Sequence, residues 1–132
     1  MAKLKPKLLP ALTMQQPYCW LLMVGHITRE KQNLRPIQFG PVVVIAGIRL
    51  LSKMDPHLAR AQRDFPDCPD ADKLARGSIV GVVDVVDCST IDRPGIHCVW
   101  ELRNPRRLKK PKPFTGTGQL IEVEAKLVRG LV

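Results

Sequence analysis

The chain has no long hydrophobic run. Its longest apolar segments are Val42–Gly47 and Ile79–Val86, far shorter than the roughly 18 residues that a membrane-spanning helix needs. Its basic N-terminus leads only into a short apolar stretch interrupted by Pro10, whereas a signal peptide needs a longer apolar core and a cleavage site. We therefore expect a cytoplasmic protein without a membrane partner.

The chain also lacks any Cys-x-x-Cys pair. Two of its cysteines, Cys19 and Cys88, lie inside apolar segments, which is typical of buried, reduced thiols. The spacing of its cysteines and histidines matches no familiar zinc pattern, so we predict neither metal nor cofactor. Four residues nevertheless leave a zinc site open as an alternative: Cys68, Cys98, His57 and His97.

Positive charge is abundant, and it is concentrated. The net charge is +9, and the segment Arg103–Lys112 contains six basic residues and no acidic one. Lys3, Lys5 and Lys7 provide three more, and the remaining twelve basic residues equal the twelve acidic ones. Such local charge attracts a polyanion, because neutralised phosphates release their counterions. The pattern predicts a nucleic-acid partner, with a solvated loop and tail as the alternative.

Two proline-containing segments suggest how the chain is organised. Residues 1–10 are expected to form a flexible basic arm, because Pro6 and Pro10 disfavour regular structure. Residues 11–132 are then one domain, which suits their length. The proline- and arginine-rich stretch Ile91–Pro113 is expected to be mostly irregular, with Val99–Leu102 as a candidate short strand.

The remaining pattern mixes short helices with strands. A buried helix is predicted from Pro17 to Val24, because proline suits a first helical position and Gly25 suits the residue after the end. Leu58–Arg63 is a second, shorter candidate. The strand candidates are Arg29–Leu34, Val42–Ala46, Ser78–Cys88 and Gln119–Val128. Gly81 within the third indicates a bulge or a close backbone approach. We predict an α+β fold with a curled or barrel-like sheet.

The order of these motifs resembles the ASCH domain, a branch of the PUA-like superfamily. The resemblance covers residues 11–128 and implies a small PUA-like mixed β-barrel of about five strands with one or two short helices. It also implies a cleft beside the first helix that faces RNA, in preference to DNA, or a modified base. The segments that carry it are Leu12-Thr13-Met14, Gln16-Pro17-Tyr18-Cys19, Gly25 with Glu30, Gly40–Ile45, Gly77–Val83, Trp100–Leu108 and Gly116–Leu120.

Enzymes that resemble this chain indicate what it lacks. Some small ASCH-like proteins are amidohydrolases of acylated cytidine and use a motif lysine, whose position here is Ile27. Isoleucine cannot act as a base or nucleophile. His26 could accept a proton, but adjacent side chains on a strand point to opposite faces. We expect a binding module without that activity. A hydrolase of RNA or of an acylated nucleoside stays open, with the catalytic candidates Glu30, His26, His97 and Asp84.

The candidates for nucleic-acid binding form two groups. Beside the first helix, Gln16, Tyr18 and Glu30 could contact a base, or they could cap the helix, pack, or form a surface ion pair. Trp20 could likewise stack on a base, but it is expected in the core. The basic segment contributes phosphate contacts from Arg103, Arg106, Arg107, Lys109, Lys110 and Lys112. A protein partner is unknown, and an acidic one is the third possibility.

Overall fold

The computed structural model describes residues 6–32, 35–36, 38–93, 96–114 and 120–132. They form an α+β domain with a six-stranded sheet of order β2-β5-β4-β3-β1-β6. The elements are β1 (Leu8–Met14), α1 (Tyr18–Met23), β2 (Arg29–Gln32), β3 (Gly40–Ala46), α2 (Pro56–Asp64), a 3₁₀ turn (Ala71–Lys73), β4 (Ser78–Arg93), β5 (Ile96–Pro113), β6 (Leu120–Glu124) and a second 3₁₀ turn (Ala125–Val128).

The sheet is mixed. β1 runs parallel to β3, and the other neighbouring strands are antiparallel. The α+β class predicted from the sequence is therefore confirmed. Within the described ranges no backbone pairing joins the edge strands β2 and β6, so a closed barrel is not seen. Neither described α-helix has the length and hydrophobicity needed to cross a lipid bilayer.

Regular structure begins earlier in the sequence than predicted. β1 begins at Leu8 and includes Pro10, which lies opposite Glu122 of β6. Proline's fixed φ is compatible with an extended strand. The parallel pairing with β3 starts only at Ala11, so the missing N–H of Pro10 is not required there. The prediction that residues 8–10 belong to a flexible arm is wrong.

Helix α1 forms as predicted and is buried on most sides. Cys19, Leu21, Leu22 and Met23 are all buried, which accounts for the lack of a polar stripe in this helix. Gly25 follows the end with a positive φ of 88°, and its N–H donates to the carbonyl of Leu22. Only glycine adopts this conformation without strain.

Both faces of the sheet are covered, and their side chains alternate along the central strands. On one face, Leu12 and Val44 pack under α1 together with Trp100 of β5. On the other, Val43 packs with Val128 of the C-terminal segment. Because neither face is solvated, the central strands have continuous apolar sequences rather than alternating ones.

Strand β5 corrects the largest error of the sequence prediction. Ile96–Pro113 is a strand antiparallel to β4, not an irregular loop. Its prolines are tolerated because the register shifts around Asn104–Pro105 and again along Leu108–Pro111. At such bulges the chain does not need every ladder N–H. Asn104 has a positive φ of 58°, a conformation that asparagine accepts more readily than most residues.

Gly81 of β4 makes the close approach that the sequence indicated. It pairs with Arg107 of β5, at the register shift after Ile79. A Cβ atom at this position would overlap the backbone carbonyl of Arg106 and the end of Met23 from α1. The glycine therefore allows the helix and β5 to approach β4 together.

Candidate nucleic-acid interface

The basic side chains of β5 divide between its two faces. Arg106 donates from Nε to the carbonyl of Leu131 (2.7 Å) and pairs through Nη2 with Asp84 (3.0 Å). Lys112 donates to the carbonyl of Leu127 (2.7 Å). Both side chains thus fasten the C-terminal segment to the sheet. Their place among the predicted phosphate contacts is not supported by the geometry.

Arg103, another of the predicted phosphate contacts, is also already paired within the protein. Arg103 pairs with Glu101 (3.2 Å), which also accepts from Arg29 at 2.6 Å. In contrast, Arg107, Lys109 and Lys110 make no ion pair or side-chain hydrogen bond with the residues that the structure describes. All three are exposed. These three are the cations of β5 available to an external anion.

Two of the available cations border a cleft between α1 and β5, which we call the basic cleft. Its volume is about 710 Å³, within the size range of small-ligand sites. Cys19 and Met23 of α1 and Val80 of β4 contribute apolar surface. The full lining is Gln16, Cys19, Trp20, Met23, Pro69, Lys73, Leu74, Ala75, Val80, Arg107, Leu108, Lys109 and Pro111.

Gln16 lies in this cleft with its amide already engaged. Its Oε1 accepts from the backbone N–H of Trp20 (2.9 Å), and its Nε2 donates to the carbonyl of Ala75 (3.0 Å). The amide therefore caps the start of α1 and ties it to the 71–75 segment. Of the two roles left open for Gln16, the structure shows the capping role.

Two residues of the basic cleft were not among the binding residues preferred from the sequence. Base stacking was considered for Trp20 but the core was favoured, whereas the side chain is only half-buried and contributes to the cleft. Lys73, in the 3₁₀ turn Ala71–Lys73, is exposed and also lines the cleft. It follows a stretch with several aspartates, so nothing in the local pattern distinguished it from a solvated surface lysine.

Glu30 occupies a different position, on the other flank of α1. In the register of β2 and β5 it lies opposite Trp100, which places it on the helix-covered face of the sheet. Among the described residues it has no cationic partner. Its Oε1 accepts a hydrogen bond from Gln32 Nε2 (3.3 Å). The surface ion pair considered for Glu30 is therefore not formed.

The surroundings of Glu30 disfavour its charge. Burial raises the pKa of Glu30 from 4.5 to about 7, and the hydrogen bond from Gln32 lowers it only in part. The pKa of the neighbouring Cys19 thiol is raised to about 12, first by burial and then by repulsion from Glu30. Cys19 is consequently a protonated, unreactive thiol at neutral pH.

Glu30 faces a second concavity, which we call the Glu30 cleft. Its volume is about 590 Å³, and its lining is Tyr18, His26, Ile27, Thr28, Arg29, Glu30 and Lys31. Tyr18 is 40% exposed, and its hydroxyl is hydrogen-bonded to His57 Nδ1 (2.7 Å). Tyr18 and Glu30 therefore share one concave surface, while Arg107 and Lys109 belong to the other cleft.

The catalytic candidates whose side chains the structure describes do not form an acid–base constellation. Asp84 pairs with Arg106 on the opposite face of the sheet from Glu30. His26 stacks on Phe65 with 4.2 Å between ring centroids, and its Nε2 lies 3.2 Å from the Asp67 carboxylate. His26 lines the Glu30 cleft, but no hydrogen bond joins it to Glu30 among the described contacts. The side chain of His97 lies outside the described residues.

The cysteines are free thiols, and three of the four are buried. Cys68 and Cys98, considered as zinc ligands, belong to separate apolar clusters. Within the described residues no group of three or more His, Cys, Asp or Glu side chains is arranged to hold a metal ion. The described geometry thus offers no support for the zinc alternative.

Comparison with known proteins adds no assignment. No protein-family model matches the chain, and no curated protein aligns with it significantly.

Proposed function

We propose that this chain is an ASCH-type, PUA-like domain that binds nucleic acid, RNA in preference to DNA, through the basic cleft. The observation that carries the proposal is the pair Arg107 and Lys109, two exposed cations without a described partner at the rim of a cleft with an apolar floor. The resemblance of the motif order to the ASCH family supports it, and the six-stranded mixed sheet is compatible with such a barrel.

The basic cleft suits a nucleotide chain because its lining combines cations for phosphates with an aromatic ring for a base. Arg107 and Lys109 of β5 and Lys73 of the 3₁₀ turn Ala71–Lys73 line the cleft and can contact phosphates, which position a strand without reading its sequence. The half-buried face of Trp20 offers a surface for an unstacked base. Cations whose partners are already in the protein, such as Arg106, would contribute little.

A hydrolase is the second candidate, and one observation favours it. The pKa of Glu30 is raised to about 7, which is suitable for a general base at neutral pH. The position of the family's motif lysine is filled by Ile27, which packs against the core, and Cys19 is protonated. We therefore place binding ahead of catalysis. Turnover of an RNA or an acylated cytidine that is lost in the folded Glu30→Gln variant would reverse this order.

The test compares two double variants that remove equal charge. Arg107→Ala with Lys109→Ala alters the basic cleft, while Lys126→Ala with Arg129→Ala alters the C-terminal segment on the other sheet face. Affinity for single-stranded RNA is measured by fluorescence anisotropy in low salt. We expect the first variant to bind at least about tenfold more weakly, since two phosphate contacts are lost, and the control to bind like the unaltered protein.

Equal affinities of the two double variants would contradict the proposal. An acidic polypeptide tests the third possibility, a protein partner. If such a peptide displaces RNA at physiological salt and binds more tightly, the cleft serves a protein instead. A double-stranded DNA of matched length is the control for the preference for RNA.

A further inference from the structure

We propose that the Glu30 cleft binds the Watson–Crick edge of an unpaired guanine, with the Glu30 carboxylate as the acceptor of its N–H donors and Tyr18 as a stacking surface. This inference rests on the proposed function for its RNA context, but it concerns a different cleft, residues and ligand group.

The position of Glu30 provides a carboxylate that is held in place and largely unsatisfied. β2 fixes its backbone against β5, and the register directs the side chain beneath α1. One oxygen receives a single long hydrogen bond from Gln32 (3.3 Å), and the described residues supply no cation. A carboxylate has about four acceptor sites, and Glu30 lines the cleft, so acceptor sites remain for a ligand there.

Hydrogen-bond chemistry selects guanine among the bases. Its imino and amino N–H groups lie side by side, so they can donate to the two oxygens of one carboxylate. Adenine and cytosine present an amino group beside a ring-nitrogen acceptor, and uracil presents one imino group between two carbonyls. Each of these would place an acceptor against a carboxylate oxygen. Unpaired bases in RNA are commonly read at this edge and stacked on aromatic rings.

The charge at the rim of the cleft favours a nucleotide over an arginine side chain, the other common partner of a carboxylate. Lys31 lines the same cleft as Glu30 and is exposed, whereas Arg29 is already paired with Glu101. Lys31 would repel a guanidinium and attract the phosphate of a nucleotide. The exposed ring of Tyr18 provides an aromatic surface in the same cleft, and stacking on such a ring tolerates any base. Guanine specificity therefore depends on Glu30.

The experiment uses the full chain at pH 8 and short oligouridines that carry one central guanosine, inosine or adenosine. Inosine lacks the amino group but keeps the imino N–H. We expect the guanosine oligomer to bind about tenfold more tightly than the adenosine oligomer, the effect of one bidentate pair, with inosine between them. In Glu30→Gln the preference for guanosine over adenosine should vanish.

Two further measurements separate this inference from the proposed function. Titration with GMP and AMP, followed by amide NMR of residues 26–31, reports on the Glu30 cleft without any RNA. Shifts with GMP that are much weaker with AMP, and lost in Glu30→Gln, support the inference even if no RNA binds. Tyr18→Leu, at an exposed position, should weaken GMP and AMP binding alike.

Three results would overturn the inference. The first is equal affinity for the guanosine and adenosine oligomers when both bind with normal salt dependence. The second is a guanosine preference that survives in Glu30→Gln. The third is an arginine amide that shifts the amides of residues 26–31 at lower concentration than GMP, because the cleft would then accept a protein side chain.

Discussion

Replacing Glu30 by glutamine should make the protein more stable at alkaline pH, an unusual outcome for a change at a proposed binding site. The folded protein raises the pKa of Glu30 from 4.5 to about 7 through burial. Between these two values the folded state holds a proton that the unfolded state has released, so stability falls as the pH rises through this window. A shift of roughly two and a half units corresponds to about 3 kcal/mol.

The variant removes this loss because glutamine keeps the shape of the side chain and carries no charge. At pH 5, near the acid end of this window, the variant should be more stable by less than about 1 kcal/mol, since most of the window between the two pKa values still lies at higher pH. At pH 8 the variant should be more stable by up to about 3 kcal/mol. Urea denaturation at both pH values measures the difference, and the comparison with the unaltered protein cancels the titration of other groups.

The reasoning would be refuted by a difference between variant and unaltered protein that is the same at pH 5 and pH 8. A variant less stable than the unaltered protein at pH 8 would be equally decisive. It would mean that the Glu30 carboxylate is stabilised by its surroundings in the folded chain.

Three further changes test the packing that forms the clefts, all by urea denaturation. Arg106→Ala should cost about 2 kcal/mol, because it leaves Asp84 half-buried without its cation and the Leu131 carbonyl without its donor; a loss below about 0.5 kcal/mol would contradict this role. Gly81→Ala should cost about 3 kcal/mol or more, because its Cβ would overlap backbone; normal stability would refute the close approach. Gln16→Ala should cost about 1–2 kcal/mol by removing two hydrogen bonds; an unchanged midpoint would show that the cap is dispensable.

Helix α1 and the central strands could be predicted because their information is local. Proline before and glycine after an apolar run mark the helix, and β-branched runs mark β3 and β4. Residues with special conformational needs were also informative: Gly25 has the positive φ expected after a helix, and Gly81 makes the expected close approach.

Only Val99–Leu102 of strand β5 was a strand candidate from the sequence, and its full extent could not be predicted because its pairing is not local. Pro105 and Pro111 within the segment argue against a strand, yet they lie at bulges where β4 does not need their N–H groups. The same pairing decides which cations are free. Sequence alone treats Arg106 and Arg107 as equivalent, whereas one bonds the C-terminal segment and the other borders the basic cleft.

The Glu30 cleft and the basic cleft also differ in how much of each could be predicted from the sequence. Tyr18 was predicted at an exposed helix start, and Glu30 follows it closely in the sequence. A shared site for the two residues could therefore be predicted, and both line the Glu30 cleft. Lys73 reaches the basic cleft through the long connection after α2, so no spacing rule relates it to β5. The raised pKa of Glu30 is likewise a consequence of the helix covering it, and it could not be inferred from its charged neighbours.

The central claim, that Arg107 and Lys109 bind the phosphates of an RNA strand, is tested most directly by salt dependence. The affinity for single-stranded RNA is measured across a series of salt concentrations for the unaltered protein and for Arg107→Ala with Lys109→Ala. If both side chains neutralise phosphates, the slope of log affinity against log salt should become shallower by about 1.4 in the variant. Parallel lines for the two proteins would contradict the claim.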